Sequence, residues 1–101
     1  AMDMLIKDKL SSIKQLLIAY DVERAYLFGS AAKNTMNLNS DVDILIHFSP
    51  KLSTIEYGNN YFNLMYALQD LLNKNVDLVA EETITNPYLL QSINKDKISI
   101  L

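Results

Sequence analysis

The segment from Phe28 to Asp43 reads FGSAAKNTMNLNSDVD, and the rest of the chain falls into place around it. An apolar run ends in the pair Gly29-Ser30, a polar connection follows, and Asp41 and Asp43 open a second apolar run through Val42, Ile44, Leu45 and Ile46. Side chains two residues apart in a strand share a face, roughly 6.6–6.8 Å apart along the chain, so Asp41 and Asp43 project side by side. Two carboxylates at a strand mouth repel each other and call for a cation. Oxygen-only ligands favour a hard divalent ion such as Mg2+.

Working outward, Ile6, Leu10, Ile13, Leu17 and Tyr20 recur at helical spacing, which predicts one amphipathic helix from Asp3 to Tyr20 with Asp3 as its cap. Ala25 to Phe28 reads as a short buried strand broken at Gly29, and Ser30 to Asn34 as a short helix. Asp41 to Phe48 alternates: Val42, Ile44, Ile46 and Phe48 lie on one face, and Asp41, Asp43, Leu45 and His47 on the other. Pro50 ends this strand, and Ser53 and Glu56 have the spacing of a capping box. A long helix follows through about Asn73, marked by Ile55, Phe62, Met65, Leu68 and Leu72, with Tyr61, Leu64 and Leu71 beside them. Gly58 weakens its start by about 1 kcal/mol relative to alanine. Val76 to Ala80 is a third strand carrying Asp77, Asn86-Pro87 opens a final helix over Tyr88 to Asn94, and Ile98 to Leu101 closes the sheet. The predicted fold is α+β, a two-layer arrangement in which helices cover one face of a small mixed sheet and the acidic site lies on the other. One domain over residues 1–101 accounts for the chain.

Composition narrows the function classes. Apolar residues make up 50% and charged residues 21%, an ordinary globular balance. A net charge of −3, with nine scattered basic residues, argues against broad nucleic-acid binding. There is no cysteine and one histidine, which leaves no thiolate metal site and little basis for structural zinc. No apolar run reaches the length of about 20 residues needed to cross a bilayer, and the amino terminus lacks a signal-peptide pattern, so a cytoplasmic location with no membrane partner is expected.

Gly29-Ser30, ten residues, then Asp41-Val42-Asp43, with Asp77 on a later strand, resembles the signature of the nucleotidyltransferase superfamily related to DNA polymerase beta. The short length, the Val-Asp-Leu-Val segment around Asp77 and the terminal helix followed by Lys97 to Leu101 look like its minimal nucleotidyltransferase (MNT) branch. The resemblance covers about Tyr26 to the end. It implies a Mg2+-dependent enzyme with two ions and ATP as substrate, in which Asp41 and Asp43 hold the metal pair and Asp77 completes the site of the ion beside the incoming hydroxyl. Asp77 would thereby favour deprotonation of that nucleophile. The same resemblance assigns Gly29, Ser30 and Lys33 to the nucleotide: Gly29 permits close backbone approach, and Ser30 with the following amides donates hydrogen bonds to the leaving pyrophosphate. In the minimal branch the partner is a HEPN-domain toxin modified on tyrosine, which would make this chain an antitoxin. Self-association into a homo-oligomer is compatible with the sequence.

The chain departs from the family pattern Gly-Ser-Arg-Ala-Arg-Gly, reading Gly29-Ser30-Ala31-Ala32-Lys33-Asn34. One arginine is Ala31 and the other Lys33, which contacts phosphate as a point charge without the bidentate fork. Asn34 tolerates the left-handed conformation expected of the replaced glycine. Two other readings therefore stand beside the protein-modifying one: a non-catalytic binding subunit on the same scaffold, and a small-molecule transferase of the aminoglycoside type. His47 is expected to be partly buried and hydrogen-bonded, Tyr57, Tyr61 and Tyr66 to pack, and Glu81 and Glu82 to be solvated.

Overall fold

In the computed structural model, which describes residues 2–101, the elements run α1 (Met4–Asp8), α2 (Leu10–Ala19), β1 (Val22–Phe28), α3 (Gly29–Lys33), β2 (Val42–Phe48), α4 (Thr54–Leu72), β3 (Val76–Ala80), a 3-10 turn (Glu81–Thr83), α5 (Pro87–Asp96) and β4 (Ile98–Ser99). The sheet order is β3-β2-β1-β4. β1 is antiparallel to both β2 and β4, and β2 is parallel to β3, so the sheet is mixed as expected.

The alternation along β2 places Val42, Ile44, Ile46 and Phe48 in the core. They meet Ala25 and Leu27 of β1, Val76 and Leu78 of β3, and the helical residues Ile6, Ile13, Leu17, Leu64, Leu68 and Leu72. Each fully buried aliphatic side chain of this kind contributes about 1.5–3 kcal/mol, which is why the helices α1, α2 and α4 settle on that face. α5 is placed differently. Its buried Ile93 lies outside this cluster and lines, with Phe28 and Gly29, a cavity of about 130 Å3 bordering the opposite face.

Three expectations are corrected. The first helix is two, because the chain turns at Lys9, whose amide donates to the Ile6 carbonyl at 3.1 Å. β1 starts at Val22 rather than Ala25, with a register shift between Val22 and Arg24 that lets Glu23 and Arg24 remain exposed. The buried stripe of α4 consists of Leu64, Leu68 and Leu72, whereas Ile55 and Phe62 are 76% and 53% exposed. The capping box forms as expected: Glu56 N–H donates to Ser53 Oγ at 3.1 Å, and Ser53 N–H to Glu56 Oε1 at 2.9 Å. Asn86 likewise caps α5 by accepting from Tyr88 N–H at 2.9 Å.

Candidate active site

The register of the sheet builds the site. Asp43 on β2 is the Cα partner of Asp77 on β3 and of Phe28 on β1. Because partners on neighbouring strands share a face and lie about 4.8 Å apart, Asp43 and Asp77 stand side by side on the face opposite the helical core. The row behind them is Val79, Leu45 and Tyr26, with Leu45 fully buried, so this face is open at its end and closed in its middle. Leu45 was placed on the acidic face by alternation, and its burial separates the carboxylates from His47 farther along β2.

Gly29 begins α3 with a left-handed φ of 63°. An added Cβ there would run into the carboxylate of Asp43. Glycine is thus required twice, by conformation and by contact, and what its bare backbone admits is the acid. Asn34 closes α3 at φ 58°, the left-handed end predicted for it. Ser30 is half-buried at the second position of α3. Lys33 does not join the carboxylates. Its Nζ lies 3.7 Å from Asp96 Oδ2 on α5, and both residues border the small cavity that also touches Gly29. Ala31 is fully buried in the core and offers no charge to a phosphate.

Electrostatics mark Asp43 as the stressed member of the set. Burial, then the neighbouring charges of Asp77 and Asp41, then a hydrogen bond with Asp77 push its pKa up to about 6. A divalent cation would relieve that repulsion, and the donor set is all oxygen, so the residues present suit Mg2+ chemistry. Asp43 and Asp77 form the adjoining pair, with Asp41 close enough to be felt. Among the described residues, no three carboxylate or imidazole side chains are already drawn into one metal cage.

Beyond Asp77, an apolar cleft of about 490 Å3 opens between β3 and α4, walled by Tyr57, Tyr61, Phe62 and Val79. The Tyr61 hydroxyl donates to the Leu78 carbonyl, and Tyr57 to Glu82 Oε1 at 2.8 Å. Burial first, and then Asp77, raises the Tyr61 pKa. Burial and the Glu82 hydrogen bond raise that of Tyr57. Tyr66, expected to pack, is 56% exposed. Glu81 and Glu82, expected to be solvated, are engaged: Glu81 pairs with Arg24 at 3.4 Å and Glu82 receives the Tyr57 hydroxyl. His47 is half-buried, but its Nδ1 is buried without a hydrogen bond, with Glu82 Oε2 3.3 Å away outside bonding geometry. No local motif announces these contacts, since each joins residues from different elements.

This combination of fold and carboxylates defines a nucleotidyltransferase, and the family model described as polymerase beta nucleotidyltransferase matches residues 11–101. The chain belongs to that family. A relative from Methanocaldococcus jannaschii, named "Putative protein adenylyltransferase MJ0128", is 41% identical over 96 residues, covering 94% of each chain. A structure described as a "putative minimal nucleotidyltransferase" superposes with a TM-score of 0.77 at 25% identity, covering 97% of this chain and 96% of that one. A chain from a structure of "the toxin-antitoxin with AMP-PNP" superposes with a TM-score of 0.74 at 26% identity, covering 91% of this chain and 72% of the other. Among the described residues, no helix is long and apolar enough to cross a membrane.

Proposed function

We propose that this chain transfers an adenylyl group from ATP to a hydroxyl of a partner protein, and that the partner is a HEPN-domain toxin which the modification silences. The observation that carries this reading is the juxtaposition of Asp43 with both Asp77 and the backbone of Gly29. The names of its relative and of the AMP-PNP-bound toxin–antitoxin structure support protein adenylylation in particular. In the reaction, the acceptor oxygen attacks the α-phosphorus, the bond to pyrophosphate breaks, and the hydroxyl proton is released.

Each residue has a task on this reading. Asp41, Asp43 and Asp77 would hold Mg2+, which supplies charge stabilisation to the attacking and leaving oxygens. Asp77, at the mouth of the apolar cleft, orients the acceptor hydroxyl and favours loss of its proton. Gly29, Ser30 and Lys33 lie on the other side of Asp43 and receive the triphosphate, with Lys33 leaving Asp96 to do so. The middle of the sheet face is sealed by Leu45, which keeps water from entering behind the carboxylates.

The test mixes purified chain, labelled ATP, Mg2+ and the candidate HEPN protein. Label on the partner, lost in the Asp41→Asn/Asp43→Asn variant, is expected. Unlabelled partner, under conditions where a known family member labels its own, would remove the protein-modifying reading. Ala31 and Lys33, standing where the family pattern has arginines, favour a second reading, a non-catalytic subunit that neutralises its partner by covering it. On that reading Asp41→Asn/Asp43→Asn would still neutralise the partner.

A further inference from the structure

The loop that delivers Asp41 has an unusual support. Between the end of α3 and the start of β2, residues 34–41 contain little that could anchor them in the core: Met36 is partly buried, but Leu38 is 96% exposed. Instead the loop arches beside a polar cleft of about 500 Å3 that is bordered by Ser40, Asp41, Gln69 and Lys74. Its own bonds are local. Asn37 N–H donates to Ser40 Oγ at 2.9 Å, Asn39 N–H to Asn37 Oδ1 at 2.8 Å, and Ser40 N–H to the Asn37 carbonyl at 3.1 Å. These give the loop a shape without fixing where that shape sits.

Its position is set from across the cleft. Lys74, in the turn between α4 and β3, donates from Nζ to the carbonyl oxygens of Asn37 at 3.3 Å, Leu38 at 3.3 Å and Ser40 at 3.2 Å. One ammonium thereby uses its three N–H groups on three carbonyls of the same loop. Next to it, Val42 N–H donates to the Asn75 carbonyl at 3.0 Å. Asp41 lies between these two anchor points, while Asp77 follows Lys74 by three residues on β3. The same short turn therefore fixes the loop bearing one carboxylate and starts the strand bearing another.

We infer that Lys74 is a positioning residue for the divalent-cation site, holding Asp41 in register with Asp43 and Asp77 through the carbonyls of Asn37, Leu38 and Ser40. The inference rests on the cation-binding role proposed above for the three aspartates. It makes a prediction opposite in sign to simple electrostatics. If Lys74 acted only as a nearby positive charge, its removal would strengthen cation binding to an acidic site. If it acts as a clamp, removal weakens binding, because the unclamped loop must be ordered when the cation arrives.

Mn2+ binding, read by its paramagnetic resonance signal in the presence of ATP, separates these cases. Lys74→Met is expected to weaken Mn2+ binding roughly ten-fold, the usual scale for residues that orient metal ligands. Lys74→Arg, which keeps charge and donors, is expected to recover most of that loss. In an Asp41→Asn background, Lys74→Met is expected to have no further effect, since the carboxylate that it positions is gone. Unchanged or tighter binding by Lys74→Met would overturn the inference, as would an equal loss with and without Asp41. Should Lys74→Met fail to fold by circular dichroism, Lys74→Gln is read against the same outcomes. Wild-type protein that binds no Mn2+ would instead overturn the cation-site reading itself, and the inference with it.

Discussion

Gly29 and Asp43 are in close contact: the carboxylate of Asp43 lies so near residue 29 that a Cβ there would collide with it. They belong to different elements, α3 and β2, and the lack of a side chain on one determines the placement of the other. Gly29→Ala adds two penalties, the left-handed backbone at φ 63° and displacement of the acid. The backbone alone costs about 1–2 kcal/mol for a residue with a Cβ. We expect that loss or more in chemical denaturation, and a smaller one when Asp43→Ala is already present. Equal losses in both backgrounds would show that the contact itself carries no strain.

Asp43 makes stability depend on pH in an unusual direction for an aspartate. Its folded-state pKa of about 6 lies above the ordinary 3.8, so the folded protein binds the proton more tightly than the unfolded chain. The corresponding stability is fully present below about 3.8 and is lost as pH rises through about 6. Asp43→Asn should therefore stabilise the metal-free protein near pH 7, by about 1 kcal/mol once solvent screening is allowed for. That corresponds to a gain of roughly 4–8 °C in Tm for a domain of this size. Melting curves at pH 4 and pH 7 provide the check: the gain should be confined to the higher pH.

The Lys33–Asp96 pair, at 3.7 Å and exposed on both sides, competes with the phosphate proposed for Lys33. Exposed pairs of this kind are worth about 1 kcal/mol or less. Asp96→Asn should accordingly tighten ATP binding by up to roughly five-fold, with the gain shrinking at high salt. In a Lys33→Ala background the same change should do little. Titration calorimetry with ATP on the wild type and the three variants measures the coupling directly.

The capping box at the start of α4 is independent of the chemistry. Ser53→Ala removes the acceptor for Glu56 N–H and should cost about 1 kcal/mol of stability. Thermal melts test the stability change, and Mn2+ titration of the same variant should be unaltered.

Much of the site could be read from local sequence because its parts are local. Gly29-Ser30 marks a turn, Asp41 and Asp43 share a strand face, and Asp77 is the second residue of a strand whose pattern stands out between a turn and an acidic pair. Asn34 and Ser53 were likewise readable because their roles depend on residues within four positions of them. What could not be read was set by residues distant in sequence. Nothing local in sequence marks Lys74, whose ammonium engages a loop 34 to 37 residues away. Lys33 was assigned to phosphate by resemblance, and its ion pair with α5 depends on packing that no spacing encodes. The break at Lys9 escaped because the apolar period runs across it uninterrupted. Ile55 and Phe62 belong to the apolar period that marks α4, yet the helix turns them outward.

Asp77 sits on β3, the outermost strand on its side of the sheet. A carboxylate at the rim of a sheet is reached from the flank. If it acts as proposed, such a site sets no upper limit on the size of its acceptor. On the proposed reading, the acceptor can be a whole folded protein, provided that one hydroxyl on its surface reaches the edge.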